Sequence, residues 1–390
     1  MTHKSNAHRT NAPLAIADNH WWVGSRRAGE ILHSNVYLRQ FPAATRSNDP
    51  FHLLIDPVAA GDLDIPCANL ERLIGGVEEI DALWLSHQDP AASSRVAKLL
   101  RGPLPDVPVL CTEDTGELLH NYCAIREGQF VHLEDYPQGL RLPTGDVIIP
   151  IAAPFCHFKG ASMLYDPCHR VLYSGDLFAG LTRPERKGRF ADASDWAGVR
   201  AFHQLYMPTQ SAVQDAIDAI RALDPPVEVI APQHGGIIKG ATVNAWMNRL
   251  YELPVGVDIV QPQLEDADRS ADWTHLLNDL MRWTTPVIGG ALARRLLADD
   301  DWLGAHLQMG AKRLAVQSRG RQVVERAVRL WADEMIRSTA NALRFEAVYG
   351  AAQHELPTPR IDLGEETVFC SRERDQNPTP LEFPAPKARQ

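Results

Sequence analysis

The 390-residue sequence predicts a layered α/β core followed by a helical extension. Three observations carry that expectation. Short β-branched or aromatic runs alternate with turn-forming clusters up to about residue 251, and helical segments lie between some of them. Beyond about residue 254 the apolar spacing changes to that of amphipathic helices. The chain is also longer than one typical domain, which suits a core with an appended unit.

Residues 1–13 are polar and aperiodic, and read as a flexible leader. From residue 14 onward, "HWWVG", "NVYLRQF", "FHLLIDP", "DALWLSH", "VPVLCT", "VIIPIAAPFCH", "SMLYDP", "RVLYSGD" and "VEVIAPQH" each have strand length and strand-forming content. Gly, Pro, Asn or Asp bound them. "TQSAVQDAIDAIRALDPP" predicts a helix: a Thr or Ser cap opens it, Val213, Ala216, Ile217 and Ile220 share one face, and a proline pair ends it. In the extension, "DWTHLLNDLMRW", "VIGGALARRLLADDDWLGAHL" and "GRQVVERAVRLWADEMIRSTANALRF" are helical by pattern, with Val324, Val328, Trp331 and Met335 on one apolar face. The expected organisation is a core over residues 14–254, a helical extension over 255–355 and an irregular tail over 356–390.

Composition narrows the partners. A formal charge of −10 argues against a nucleic-acid or anionic-membrane binder, since both need a basic field. No opening segment has signal-peptide order and no apolar run is long enough to span a bilayer, so a cytoplasmic protein is expected. The six cysteines lack CxxC spacing and read as reduced thiols.

Several strands end in a histidine or aspartate: Asp56, His87, His157, Asp176 and His234. Layered α/β folds put their chemistry at such strand ends, because the sheet fixes the backbone while loops carry the reactive groups. His87, Asp89, His157, Asp176 and His234 together make a mixed nitrogen and oxygen donor set that suits iron, manganese or zinc. In an extended segment residues 87 and 89 point the same way, and Asp176 has two oxygens with which to bridge two ions. Cys156 adjoins His157 and should face away from it. His33 and His203 are candidates for a supporting shell without a defined place. No phosphate loop and no GxSxG elbow is present.

These stretches resemble the metallo-β-lactamase fold superfamily, and within it the β-lactamase-like module of flavodiiron proteins and the stand-alone oxygen-binding di-iron proteins. "HWWVG", "HSNVYLRQF", "LLIDP", "LSHQDP", "APFCHFKGASMLYDP", "LYSGDLFAG" and "APQHGG" occur in the family's order over about residues 14–245. The resemblance implies a four-layer αββα sandwich with a metal site at one edge. By it, His87, Asp89 and His157 hold the first metal, Asp176 bridges, and His234 serves the second.

Where the family's first motif reads His-x-Glu-x-Asp followed often by His, this chain has His87, Gln88, Asp89, Pro90, Ala91 and Ala92. The methyl group of Ala91 replaces a carboxylate that in hydrolytic members binds the second metal and assists the attacking water, which disfavours hydrolysis. The implied function is a non-haem iron protein, with one or two ions, that binds O2 or NO as a sensor or slow oxidoreductase. An external electron donor is expected, because the extension does not look like a flavodoxin domain and no FMN is expected. Two other readings stay open: a metal-poor binding or regulatory relative, and a zinc hydrolase. A homodimer is compatible with the resemblance.

Overall fold

The computed structural model describes residues 11–26, 30–43, 49–57, 64–122, 126, 128–183, 185–259, 269–311 and 313–361. Nearly all of the expected leader, and the tail beyond residue 361, lie outside the described residues. The first sheet has seven strands in chain order: β1 (Leu14–Ala17), β2 (His20–Trp22), β3 (Tyr37–Phe41), β4 (Phe51–Ile55), β5 (Ala82–Trp84), β6 (Val109–Cys111) and β7 (Phe130–His132). Pairing is antiparallel up to β4 and parallel beyond it. The second sheet contains β8 (Leu140–Arg141), β9 (Val147–Ala152), β10 (Ser162–Asp166), β11 (Val171–Gly175), β12 (Val229–Pro232) and β13 (Ile238–Lys239), in the spatial order 13-12-11-10-9-8.

Side-chain alternation sorts these strands into layers. Leu38, Leu54 and Leu83 face one way and pack with Leu70 of α1 (Asp64–Ile74), Val96 of α2 (Pro90–Arg101) and Leu119 of α3 (Glu113–Tyr122). Their neighbours Tyr37, Leu53, Ile55 and Trp84 face the other way, onto Leu164, Val171 and Tyr173 of the second sheet. Met163, Tyr165 and Leu172 then point outward onto α4 (Trp196–Tyr206), α5 (Gln210–Arg221) and α6 (Ala241–Tyr251). The result is the expected αββα arrangement. Thr209 caps α5, its hydroxyl accepting from the Ala212 N–H at 3.2 Å, and Val213, Ala216, Ile217 and Ile220 are its buried stripe.

The extension consists of α7 (Ser270–Ile288), α8 (Gly290–Ala298), α9 (Asp301–His306), the hairpin strands β14 (Leu307–Met309) and β15 (Leu314–Val316), α10 (Gly320–Ala332) and α11 (Arg337–Gln353). Two features differ from the sequence expectation. The hairpin lies within a stretch expected to be helix or connection; its strands are too short to show a period of two, and Asn278 fastens them by bonding both the N–H and the carbonyl of Leu314. The long segment expected as one helix breaks at 333–336, where Ile336 is exposed. Val324, Val328 and Trp331 share a buried face as expected, whereas Met335 lies past the end of α10 and is half-buried.

Helix α11 joins the two units. Phe345, Val348, Tyr349 and Ala352 pack into the core under the second sheet, while Leu343, Ala347 and Ala351 pack with Trp273 and Trp331. Trp331 is fully buried and its indole N–H donates to the Ala293 carbonyl at 3.0 Å. Trp331→Ala is expected to cost about 3–5 kcal/mol, from lost burial, the cavity and the orphaned carbonyl; urea unfolding measures it. Among the described residues, no helix is long and apolar enough to cross a membrane.

Candidate metal centre

Strand directions bring the predicted residues to one edge. β11 and β12 are parallel neighbours, so Asp176 and His234, which follow them, emerge side by side. β9 is antiparallel to β10, and β10 to β11, so the chain leaving β9 toward His157 reaches the same edge. β4 and β5 of the first sheet run parallel and deliver Asp56 and His87. Gly175 lets the two sheet edges meet: at φ +56°, a Cβ there would lie 2.8 Å from that of Ser86. The Ser162 N–H also donates to the Ser86 carbonyl at 2.8 Å.

Asp176 is the hub. Its carboxylate lies 2.8 Å from His157 Nε2, 3.4 Å from His87 Nε2 and 3.5 Å from His234 Nε2. His87 and Asp176 are buried, and His157 and His234 are half-buried. Asp176 Oδ1 is buried without a hydrogen-bond partner. Burial alone would push this carboxyl up, but His87, His157 and His234 outweigh it and hold it well below the usual carboxylate range. Burial lowers His87 and Asp176 opposes that, so the imidazole favours its neutral form.

The outer partners fix which ring atoms face inward. His234 Nδ1 lies 3.0 Å from the His33 carbonyl, which can only accept, so the proton sits on Nδ1 and the Nε2 lone pair faces Asp176. Ser86 gives its single hydroxyl proton to Asp56 at 2.9 Å and therefore accepts from His87 Nδ1 at 3.0 Å, which leaves His87 Nε2 as a lone pair too. Asp56 also accepts from the Ser86 N–H, and burial pushes its carboxyl up to about 7. Two imidazole lone pairs thus face a carboxylate across 3.4–3.5 Å. Acceptors aimed at acceptors repel unless a cation or protons lie between them, and this donor set fits a first-row divalent metal.

One ligand atom from each of His87, His157 and Asp176 lies within 4.8 Å of the others, and both His234 and Asp89 lie outside that set. The extended segment assumed from the sequence does not form: the chain bends at Ser86 and His87, and α2 begins at Pro90. Asp89 is half-buried before the helix, close enough for its charge to favour protonation of His87. Gln88 points elsewhere, accepting from Thr115 Oγ1 at 3.1 Å.

Other residues find definite places. The Cys156 thiol contacts the Ala212 carbonyl at 3.5 Å, and burial pushes it up to about 12. His203 spends both nitrogens on structure, Nδ1 on the Val199 carbonyl at 2.8 Å and Nε2 on the Phe178 N–H at 3.0 Å. The His33 ring accepts from Arg26 Nε at 3.1 Å, and its carbonyl orients His234. Sequence reasoning missed the aromatic wall: Phe158 lies 4.4 Å from the His157 ring, and Tyr206 and Phe202, one turn apart on α4, lie 5.7 Å from His157 and His234. It also missed Ser86, although that residue precedes His87 directly.

A second group, His20, Asp166 and His169, lies at the opposite edge. Arg39 Nε is 2.7 Å from Asp166 there, so a guanidinium already supplies the cation.

Two predictions arise here. Ser86→Ala frees His87 to rotate and change tautomer, and is expected to weaken metal affinity about tenfold in a chelator competition. The second concerns pH. Burial lowers His203 from 6.5 to about 4, so between those values the unfolded chain takes up a proton that the folded chain refuses. That part of the stability is present above pH 6.5 and is lost as pH falls toward 4. His203→Gln is expected to reduce the decline of the urea midpoint across that window; an unchanged slope would show that His203 does not contribute to it.

Comparisons with known proteins agree with the fold. The chemotaxis sensor ODP from T. denticola, in its apo state, superposes with a TM-score of 0.52 at 26% identity, covering 63% of this chain and 96% of that one. A peroxy di-iron species of chemotaxis sensor ODP gives 0.51 at 25% identity, with the same coverage. The flavodiiron protein from Giardia intestinalis shares the fold, with a TM-score of 0.54 at 14% identity over 68% of this chain and 67% of that one. No curated protein matches the chain. The sequence profile described as ODP family beta lactamase matches residues 32–235, more than half of the sequence, and the chain belongs to that family.

Proposed function

We propose that this chain is a non-haem iron protein that binds O2 or NO. The observation that carries the reading is the convergence of three imidazoles on the buried carboxylate of Asp176, His87 and His157 on Oδ2 and His234 on Oδ1, the oxygen without a hydrogen-bond partner. The likeness to the chemotaxis sensor ODP, whose di-iron species has a structure, favours iron over zinc. His87, Asp89 and His157 with Asp176 would hold the first iron; Asp176 and His234 would hold a second more weakly, because residue 91 is alanine.

Iron supplies the diatomic-ligand chemistry when bound. The chain's own residues orient and enclose it. Ser86 and the His33 carbonyl set the imidazole tautomers, Asp176 offers its charge, and Phe158, Phe202 and Tyr206 give the site an apolar wall against water. In this reading residues 14–254 are the gas-binding module of a cytoplasmic protein and residues 255–355 its helical appendage. Any sustained reduction draws on an external donor, without FMN in the chain.

The test is elemental analysis of anaerobically prepared protein, followed by optical spectra before and after O2 and NO. Iron with ligand-dependent bands is the expected result. Stoichiometric zinc without iron overturns it.

A further inference from the structure

The helical extension carries a second concavity that the metal reading does not use. A cleft of about 430 Å³ lies between α10, α11 and the segment reaching Ile361, and Arg326, Arg329, Arg344 and Arg360 all line it beside Trp302. The one acid in the lining, Glu325, is engaged: its Oε1 accepts from the Arg360 backbone N–H at 2.7 Å and faces Arg321 at 3.6 Å. Arg326 is paired with Asp300 at 2.6 Å, and Arg344 donates to the neutral Asn341 at 2.9 Å. Arg329 and Arg360 are exposed, and among the described residues no salt bridge to a carboxylate engages the guanidinium of either.

Guanidinium groups from three separate segments repel when they share one cleft, and an anionic ligand offsets that repulsion. The setting favours an anion over chance charge: residues 269–361 hold 13 Lys and Arg against 10 Asp and Glu, whereas the whole chain carries −10. Guanidinium forks match phosphoryl oxygens, and the volume exceeds that of inorganic phosphate and falls in the usual range for small-molecule sites.

We propose that this cleft binds a small phosphate-bearing ligand of up to nucleotide size, with Arg329, Arg344 and Arg360 as its phosphate contacts. The site is independent of iron. Calorimetric titration of the full iron-loaded chain with pyrophosphate, ATP and citrate tests it. Pyrophosphate and ATP should bind with an affinity that falls as salt rises, citrate more weakly. Arg344→Gln should weaken pyrophosphate binding about tenfold or more, and Arg329→Gln with Arg360→Gln should remove it. Both residues of the pair are exposed, so the double variant keeps its fold, as an unchanged urea midpoint will show. Absence of pyrophosphate and ATP binding at millimolar concentration, equal binding by the double variant, or binding of citrate as tight as pyrophosphate overturns the proposal.

Discussion

Asp176→Asn is expected to abolish iron retention while leaving the metal-free protein as stable as before, or more so. Asn has the same shape but replaces a charged acceptor with an amide that donates two protons. With the amide nitrogen in place of Oδ2, its two protons face His87 and His157 Nε2, at 3.4 and 2.8 Å from that position, while the amide oxygen takes the place of Oδ1 opposite His234. The variant therefore trades a buried carboxylate with an unpartnered oxygen for a neutral, bonded group. Metal affinity goes the other way: the charge that three imidazoles surround is gone, and a loss above about 100-fold is expected, beyond what changing an outer partner costs. The readout is the melting shift produced by iron, since a ligand at a hundredfold excess over its Kd stabilises by about 2.7 kcal/mol. Wild type should show the shift and Asp176→Asn should not. A variant that keeps the shift removes Asp176 from the metal centre.

What the sequence made legible follows from how local each signal is. The nine apolar runs found as strands are stretches where burial on one or both faces stamps a short-range pattern, and the histidines and aspartates at their ends were visible as departures from it. β8, β13 and the β14–β15 hairpin are two or three residues long and leave no period to find. The extended segment expected at residues 87–89 fails for a related reason: α2 starts at Pro90, and a two-residue alternation does not survive a bend before a helix. Asp56 was seen at a strand end, but its role depends on Ser86 sitting between it and His87, a contact made by parallel pairing of β4 and β5. The part of the wall made by Phe202 and Tyr206 is a tertiary contact, since α4 reaches the site from a separate layer, whereas Phe158 directly follows His157.

Ala91→Asp is expected to raise the iron content from near one ion per chain toward two. In the resemblance that this chain shows to its fold family, the missing carboxylate belongs to the second metal, and position 91 is the second residue of α2. An acid in a first helical turn interacts favourably with the helix macrodipole, so the substitution asks nothing unfavourable of the backbone. By the same resemblance the groups left for a second ion are Asp176 and His234, a carboxylate and one imidazole, which fall short of the ligand count that holds a first-row metal firmly. The local charge also opposes a second cation: Arg26 donates to the ring of His33, whose carbonyl holds His234, and burial lowers that guanidinium to about 9 without removing its charge at neutral pH. A new carboxylate supplies both a ligand and the missing negative charge. Iron analysis and competition with a chelator read out the stoichiometry and the affinity of the second site. If the iron content of Ala91→Asp equals that of wild type while the urea midpoint is unchanged, residue 91 does not set the number of metals, and the charge around Arg26 becomes the controlling term.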